Sequence, residues 1–375
     1  MMQKAKSREP VHAPYVPDNG HVHSQRRRGR GSASNRSGRF EPLKKSSVDD
    51  GWESLGELDA FRTEVFVDRP KKIIASNASP DINFDKSVNP YRGCEHGCVY
   101  CYARPTHCFL GMSAGLDFES KLFVKENAAE LLERELADPN YKVEKLALGA
   151  NTDIYQPIER QYRVTRQLLE LLDRTNHPVL LITKSALILR DIDILASMAE
   201  RGLVKAALSV TTLDRKLARA MEPRASTPEK RLEAIAKLNE AGIPTSVVVA
   251  PIIPAINDHE IETILTRAAA AGAKESGYVM LRLPLEIRDL FREWLKEHYP
   301  DREARVFSLV QSTRGGKDYD SRWGQRMSGT GPFAWQVGRR FELACKRLGM
   351  NEQSFKVRTD LFSPPTLAGQ QMRLL

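Results

Sequence analysis

Short apolar runs alternating with amphipathic segments leave this chain few folds to adopt. The runs are residues 145–151 (KLALGAN), 178–185 (PVLLITKS), 205–212 (KAALSVTT), 244–254 (PTSVVVAPIIP) and 276–284 (SGYVMLRLP). Each is a brief stretch of apolar or β-branched residues ending in polar, Gly or Pro positions, the pattern of a buried parallel strand followed by a loop. The segments between them read as helices. IERQYRVTRQLLELLDRT places Val164, Leu168, Leu171 and Leu172 on one face. STPEKRLEAIAKLNEAGIP opens on the cap-like Ser226-Thr227-Pro228-Glu229 and stops at Gly242, and DIDILASMAERG stops at Gly202. Strands alternating with helices at this rhythm imply βαβ units with right-handed crossovers. With KSVNPYRG (residues 86–93) as a first strand, six such units span residues 85–300. The expected architecture is α/β, a partial (β/α)6 TIM-like barrel, with a doubly wound sheet as the alternative. In either, ligands bind at the strand C-terminal ends. Asn151, Thr152 and Asp153, then Thr183, Lys184 and Ser185, then Ser209, Thr211 and Thr212 gather there.

Outside that core the composition changes. Residues 1–48 carry eleven Lys or Arg against three acids, a net +8, which leaves about +1 of the total +9 for the remaining chain. HSQRRRGRGSASNRSGRF is rich in Arg, Gly and Ser and nearly free of aliphatic residues, so residues 1–48 are expected to be a disordered basic arm. Such an arm either attracts the phosphates of DNA or RNA or serves as a solvated tail. Residues 49–84 form a lead-in, and residues 301–375 a C-terminal extension whose WQVGRRFELACKRLG reads as a helix closed by Gly349. In the extension, Arg314, Lys317, Arg322 and Arg326 interleave with Tyr319 and Trp323. They form either a small phosphate-and-stacking patch or a solvated loop.

Five cysteines, an odd number with three crowded together, argue against a disulfide framework. No apolar run approaches the roughly 20 residues needed to span a bilayer, and a reducing, cytoplasmic setting without membrane contact is expected. The crowded three are Cys94, Cys98 and Cys101 in GCEHGCVYCYARPTH. Short gaps let one loop aim three thiolates at a common point, which suits zinc or an iron–sulfur cluster. A closed zinc site needs a fourth ligand, for which only Cys108, His96 and His107 lie nearby. Three thiolates on a cubane leave one iron open for chemistry. Cys108 and Cys345 are read as non-ligands, Cys345 as a small buried thiol on a helix beside Phe341 and Leu348.

The cysteine spacing, the aromatic Tyr100 before the third cysteine, and the βα units that follow resemble the radical S-adenosylmethionine (SAM) superfamily, with its hallmark Cx3CxΦC. YRGCEHGCVYCYAR, NTDIYQPIE, LLITKS, SVTTLD, EPRA and VVVAPIIPAIND resemble, more narrowly, its spore-photoproduct-lyase-like branch and PA0069-family radical SAM proteins within it. The resemblance implies the partial barrel of the radical SAM type, with Cys94, Cys98 and Cys101 on a 4Fe–4S cluster whose open iron takes SAM. It implies reductive cleavage of SAM to a 5′-deoxyadenosyl radical, with electrons from a donor such as flavodoxin or ferredoxin. Tyr100 would flank the adenine; Asn151, Thr152 and Asp153 would lie by the methionyl amine; Lys184 and Ser209 match further SAM-contacting positions. Tyr102 and Asp153 are the implied catalytic candidates. Each has a plainer reading: Asp153 as a helix cap, Ser209 as a β-former, Lys184 as a solvated charge. Arg224 either binds an anion or pairs with Glu222. The lyase carries a hydrogen-donating cysteine where this chain has Ala150, so the resemblance extends to the cofactor machinery and not to that thiol.

Overall fold

The computed structural model describes residues 20–22, 24–41 and 60–367. Ten strands follow one another: β1 Glu64–Val67, β2 Ile74–Ser76, β3 Lys86–Val88, β4 Tyr91–Arg92, β5 Lys121–Val124, β6 Leu146–Leu148, β7 Val179–Thr183, β8 Val204–Ser209, β9 Thr245–Ile252 and β10 Glu275–Met280. The five apolar runs thus become β6 to β10. They lie side by side in a seven-stranded sheet of order β10-β9-β8-β7-β6-β3-β2, parallel throughout except for β2. The expected helices form between them as Val164–Arg174, Ile192–Glu200 and Pro228–Glu240. Thr227 caps the last through the Lys230 amide, and Gly202 and Gly242 take the left-handed conformation that stops two of them.

The first strand differs from expectation. Residues 86–93 do not run as one element, because Pro90 offers no amide to a ladder and biases Asn89 against continuing it. The chain breaks there. β3 joins the main sheet, whereas β4 crosses into a second sheet of order β1-β5-β4.

The main sheet is open but curled. Laid flat, its edge strands would stand roughly 29 Å apart, six spacings of about 4.8 Å. Yet Arg326, beyond β10, pairs with Asp81 and Ser79 in the β2–β3 connection, and the Gly324 amide donates to Asp81 at 2.6 Å. These contacts tie the two edges together. They also dismantle the basic patch considered for the extension. Arg314 is buried and donates to the carbonyls of Leu281 and Gln325, Arg326 serves the tie, and Arg322 pairs with Asp320 at 2.6 Å. The helix Gly331–Arg347 packs Phe341 against Tyr278 of β10, and the Cys345 thiol lies 3.1 Å from the Ser276 hydroxyl.

The expectation of a disordered arm is corrected over residues 24–41. This segment is built onto the body as a strap. Arg27, Arg36 and Arg39 pair with Glu297, Glu293 and Glu286, an acidic row along and just before the helix Ile287–His298. The Gly31 and Ser32 amides each donate to Glu119 at 2.8 Å, and Asn35 and Asp117 bond reciprocally. Composition misled because the strap needs no apolar core of its own: its amides and guanidinium groups are satisfied by acids on the folded body. Residues 1–19, 23 and 42–48 of the expected arm lie outside the described residues.

Gly31 is where the strap comes closest, since a Cβ there would stand 1.8 Å from the Gly97 carbonyl oxygen. Gly31→Ala should therefore destabilise the protein by at least about 1–3 kcal/mol, the usual range for overpacking. Urea unfolding would read this as a lower midpoint; an unchanged midpoint would refute the close contact.

Candidate active site

Gly93 opens the cysteine loop in the left-handed conformation, and an added Cβ would meet the Leu122 side chain, the Phe118 carbonyl and His107, so only glycine fits. Backbone bonds then fold the loop tightly: Cys94 N to Phe118 O, Val99 N to Met221 O, and Cys101 N to Cys98 O. Beneath it lies Arg104, fully buried at the start of the short helix Arg104–Leu110. Its guanidinium donates to the carbonyls of Cys98 (2.8 Å), Gly97 (3.1 Å), Ala114 (3.1 Å) and Gly115 (2.9 Å), and to the buried Glu119 (2.5 Å). The same Glu119 receives the strap amides, so one carboxylate joins strap and loop.

The three cysteines carry no disulfide; Cys94 is 6% and Cys98 7% exposed, and Cys101 is half-buried. Burial pushes each thiol up; Asp153 and the neighbouring thiols add to this for Cys94, and Glu222 for Cys98. Without a metal they remain protonated thiols. Among the described residues no three or more His, Cys, Asp or Glu side chains are grouped to hold a metal ion.

Beside the loop, at the C-terminal ends of β7, β8 and β9, a polar network gathers several of the candidates. Lys184 Nζ donates to Ser209 Oγ (2.6 Å), Thr211 Oγ1 (3.3 Å) and the Ala250 carbonyl (3.3 Å), and stands 3.4 Å from Glu222. The Tyr100 hydroxyl donates to Glu222, and the Lys184 ammonium lies 5.6 Å from the centre of the Tyr100 ring. Glu222 is buried, which alone would raise its carboxyl, but Arg231 and Lys184 hold it ionised well below the ordinary range. Arg224 pairs with Glu95, at 2.5 Å, and not with Glu222.

Asp153 is held on all sides. Its carboxylate accepts Thr183 Oγ1 (2.7 Å), the Tyr155 amide (2.9 Å) and the Lys184 amide (2.8 Å), and His96 Nδ1 lies 3.3 Å away. Burial opposes its ionisation, yet His96 and these donors keep its carboxyl below the usual value. Thr152 donates to the Tyr91 carbonyl, and the Asn151 amide donates to Asn89. Tyr102 stands apart from the network: its hydroxyl donates to the Ala150 carbonyl, and Arg282 lies over its ring. Sequence reasoning gave no role to Arg104, Glu119 or Arg231, and it named His96 only as a nearby zinc ligand and Glu222 only as a partner for Arg224. Arg231 left a signal of its own, because it occupies a position in the otherwise apolar stripe Leu232, Ile235 and Leu238 of its helix.

Comparison with known proteins agrees with this geometry. Residues 88–268 match the family model of the radical SAM superfamily. An uncharacterized protein of Mycobacterium tuberculosis is 37% identical over 230 residues, covering 61% of this chain and 68% of its own. One from Methanocaldococcus jannaschii is 27% identical over 240 residues, covering 64% and 85%. Among solved structures, spore photoproduct lyase in a mutant form with bound AdoMet and dinucleoside spore photoproduct superposes with a TM-score of 0.54. The match covers 76% of this chain and 80% of that one at 17% identity, a likeness of fold.

Two outcomes follow from the buried charges. Arg104→Met strands Glu119 without its cation and should cost about 3–5 kcal/mol, read as a loss of the folded baseline in thermal melts. Glu222 and Asp153 have folded carboxyls below their ordinary values of 4.5 and 3.8. Their contribution is fully present above those values and is lost as pH falls through the lowered ones. Glu222→Gln should therefore be less stable at pH 7 and show a flatter decline below about pH 4.5. Parallel wild-type and variant stability curves over that range would refute the role given to Glu222.

Proposed function

This chain belongs to the radical SAM superfamily of enzymes, and we propose that it cleaves SAM reductively on a 4Fe–4S cluster held by Cys94, Cys98 and Cys101. The observation that carries the reading is three unbridged thiols, two buried and one half-buried, on one tightly built loop beside the C-terminal ends of a curled parallel sheet. We read that sheet as the partial (β/α)6 TIM-like barrel of the family, and the chain as resembling the spore-photoproduct-lyase-like branch and its PA0069 group. A bound cluster would supply one electron to SAM and so a 5′-deoxyadenosyl radical for hydrogen abstraction.

The chain's own residues divide the remaining work. Arg104 and Glu119 hold the loop so that the three thiols keep fixed places. Lys184, in its cradle of Ser209 and Thr211, carries a compact ammonium suited to the SAM carboxylate. Tyr100, locked by Glu222, offers its ring as a wall beside the adenine. Asn151 and Thr152 shape the end of β6 near the methionyl amine. Asp153, with its oxygens engaged by Thr183, Tyr155, Lys184 and His96, acts there as a joint that positions Lys184 and the loop. Tyr102 faces the substrate side, next to Ala150.

An acidic one-electron donor protein such as flavodoxin or ferredoxin would supply the reductant. Nucleic acid is retained as a candidate substrate class on the likeness to the lyase and on the basic arm, of which Arg27, Arg36 and Arg39 are already paired within the fold.

Anaerobically reconstituted protein should hold about four irons and form 5′-deoxyadenosine from SAM only with a reductant. Cys94→Ala, Cys98→Ala and Cys101→Ala should each lose both properties. Stoichiometric zinc with no iron after the same preparation would refute the proposal and support a metal-stabilised binding module instead.

A further inference from the structure

Arg282 differs from most arginines around the proposed site; its buried neighbour Arg314 also lacks a carboxylate, but its guanidinium is spent on the Leu281 and Gln325 carbonyls. Arg104 and Arg231 are paired with buried carboxylates, Arg224 with Glu95, and Arg326 with Asp81. Arg282 has no such partner: among the described residues, its polar contacts are Met327 Sδ at 3.6 Å and the Tyr319 hydroxyl at 3.3 Å. Its Nε is shielded from solvent and has no acceptor at all. A shielded donor without an acceptor calls for an explanation, and a thioether is a weak acceptor for a cation.

Its position supplies one. Arg282 lies two residues past β10, between the buried Leu281 and Leu283, at the same end of the sheet as the cysteine loop. Its guanidinium lies 5.4 Å from the centre of the Tyr102 ring, and the Tyr102 hydroxyl reaches the Ala150 carbonyl just past β6. Tyr102 is 47% exposed, so this ring and the guanidinium over it border open space. The nearby acids are already engaged: Asp81 with Arg326 and the Gly324 amide, Asp320 with Arg322. Lys184, the cation assigned to SAM, sits at the end of β7, so Arg282 is a second cation on a different side of the mouth.

We infer that Arg282 is a substrate-binding residue that anchors an anionic oxygen group, a carboxylate or a phosphate, on the Tyr102 side of the site. The guanidinium fork presents parallel N–H donors that match either group, and the tyrosine face beneath it leaves the open side to the ligand. This rests on the reading above that the mouth beside the cysteine loop is the active site, and it adds a class of substrate to it.

The test is direct binding to the full-length, anaerobically reconstituted protein by titration calorimetry. The probes are phenyl phosphate, benzoate and the uncharged benzamide. At least one anion should bind roughly tenfold or more tighter than benzamide, and Arg282→Gln should erase that preference. Preference for phenyl phosphate identifies a phosphorylated substrate and preference for benzoate a carboxylic acid; either supports the anchor. Arg282→Lys keeps the charge and should retain part of the anion affinity. A lysine variant that loses it while melting at the wild-type temperature would overturn the inference. So would equal binding of all three probes to the wild type, or unchanged anion binding by Arg282→Gln. A tenfold loss of SAM affinity in Arg282→Gln without any probe would make the residue a SAM contact and overturn it too. Iron content and 5′-deoxyadenosine yield, measured on the same samples, report separately on the radical SAM reading.

Discussion

The buried pair of Arg104 and Glu119 is the interaction on which the cysteine loop depends. Taking two charges out of water is expensive, and their mutual attraction repays it only when the remaining hydrogen-bonding capacity is also used. Here it is: the guanidinium serves four carbonyls besides Glu119, and the carboxylate accepts two strap amides besides Arg104. Two of those carbonyls belong to Gly97 and Cys98, inside the thiol-bearing turn itself. The loop also buries Val99 and Tyr100. The five-donor cation beneath it adds to that packing by fixing the backbone directly.

The same pair explains which parts of the structure were legible in the sequence. The βα rhythm was legible because burial of a parallel strand leaves a continuous apolar run, and β6 to β10 fall on the five runs. Helix stops at Gly202 and Gly242 were legible for an equally local reason. The strap was not, because its partners lie some 80 to 270 positions away in the chain, as with Gly31 and Glu119 or Arg27 and Glu297. Composition reports whether a segment can make a core alone; it is silent on whether another part of the chain holds acceptors for it. The candidate site divides in the same way. The cysteine triplet was visible as a motif, and Tyr100, Lys184 and Ser209 lie together in the structure. Arg231 belongs to no quoted motif and Glu222 only to EPRA, and their part in holding Tyr100 and Lys184 comes from their meeting in space.

The electrostatics around the loop are consistent with a site that must hold negative charge. Burial and the carboxylates of Asp153 and Glu222 disfavour free thiolates. Arg104, Lys184 and Arg231 press the other way on Cys101 and Cys98. Thiolates become stable in such a place when a metal centre supplies positive charge, which inverts the local preference. The loop itself is held in shape by Arg104 from below and by the strap from outside.

Charge also decides how the basic composition should be understood. Nearly all of the net +9 is attributable to residues 1–48, which at first sight makes a polyanion the natural partner. In the folded chain, Arg27, Arg36 and Arg39 of that stretch meet Glu297, Glu293 and Glu286, and Arg30 donates to the Glu119 carbonyl at 2.5 Å. The near-neutral body thus has an acidic seam, and the strap is its complement. Net charge records the sum and hides the pairing. In the proposed mouth Arg104, Arg224, Arg231 and Arg326 each meet a carboxylate and Arg314 serves two backbone carbonyls, whereas Arg282 meets only a thioether and a tyrosine hydroxyl.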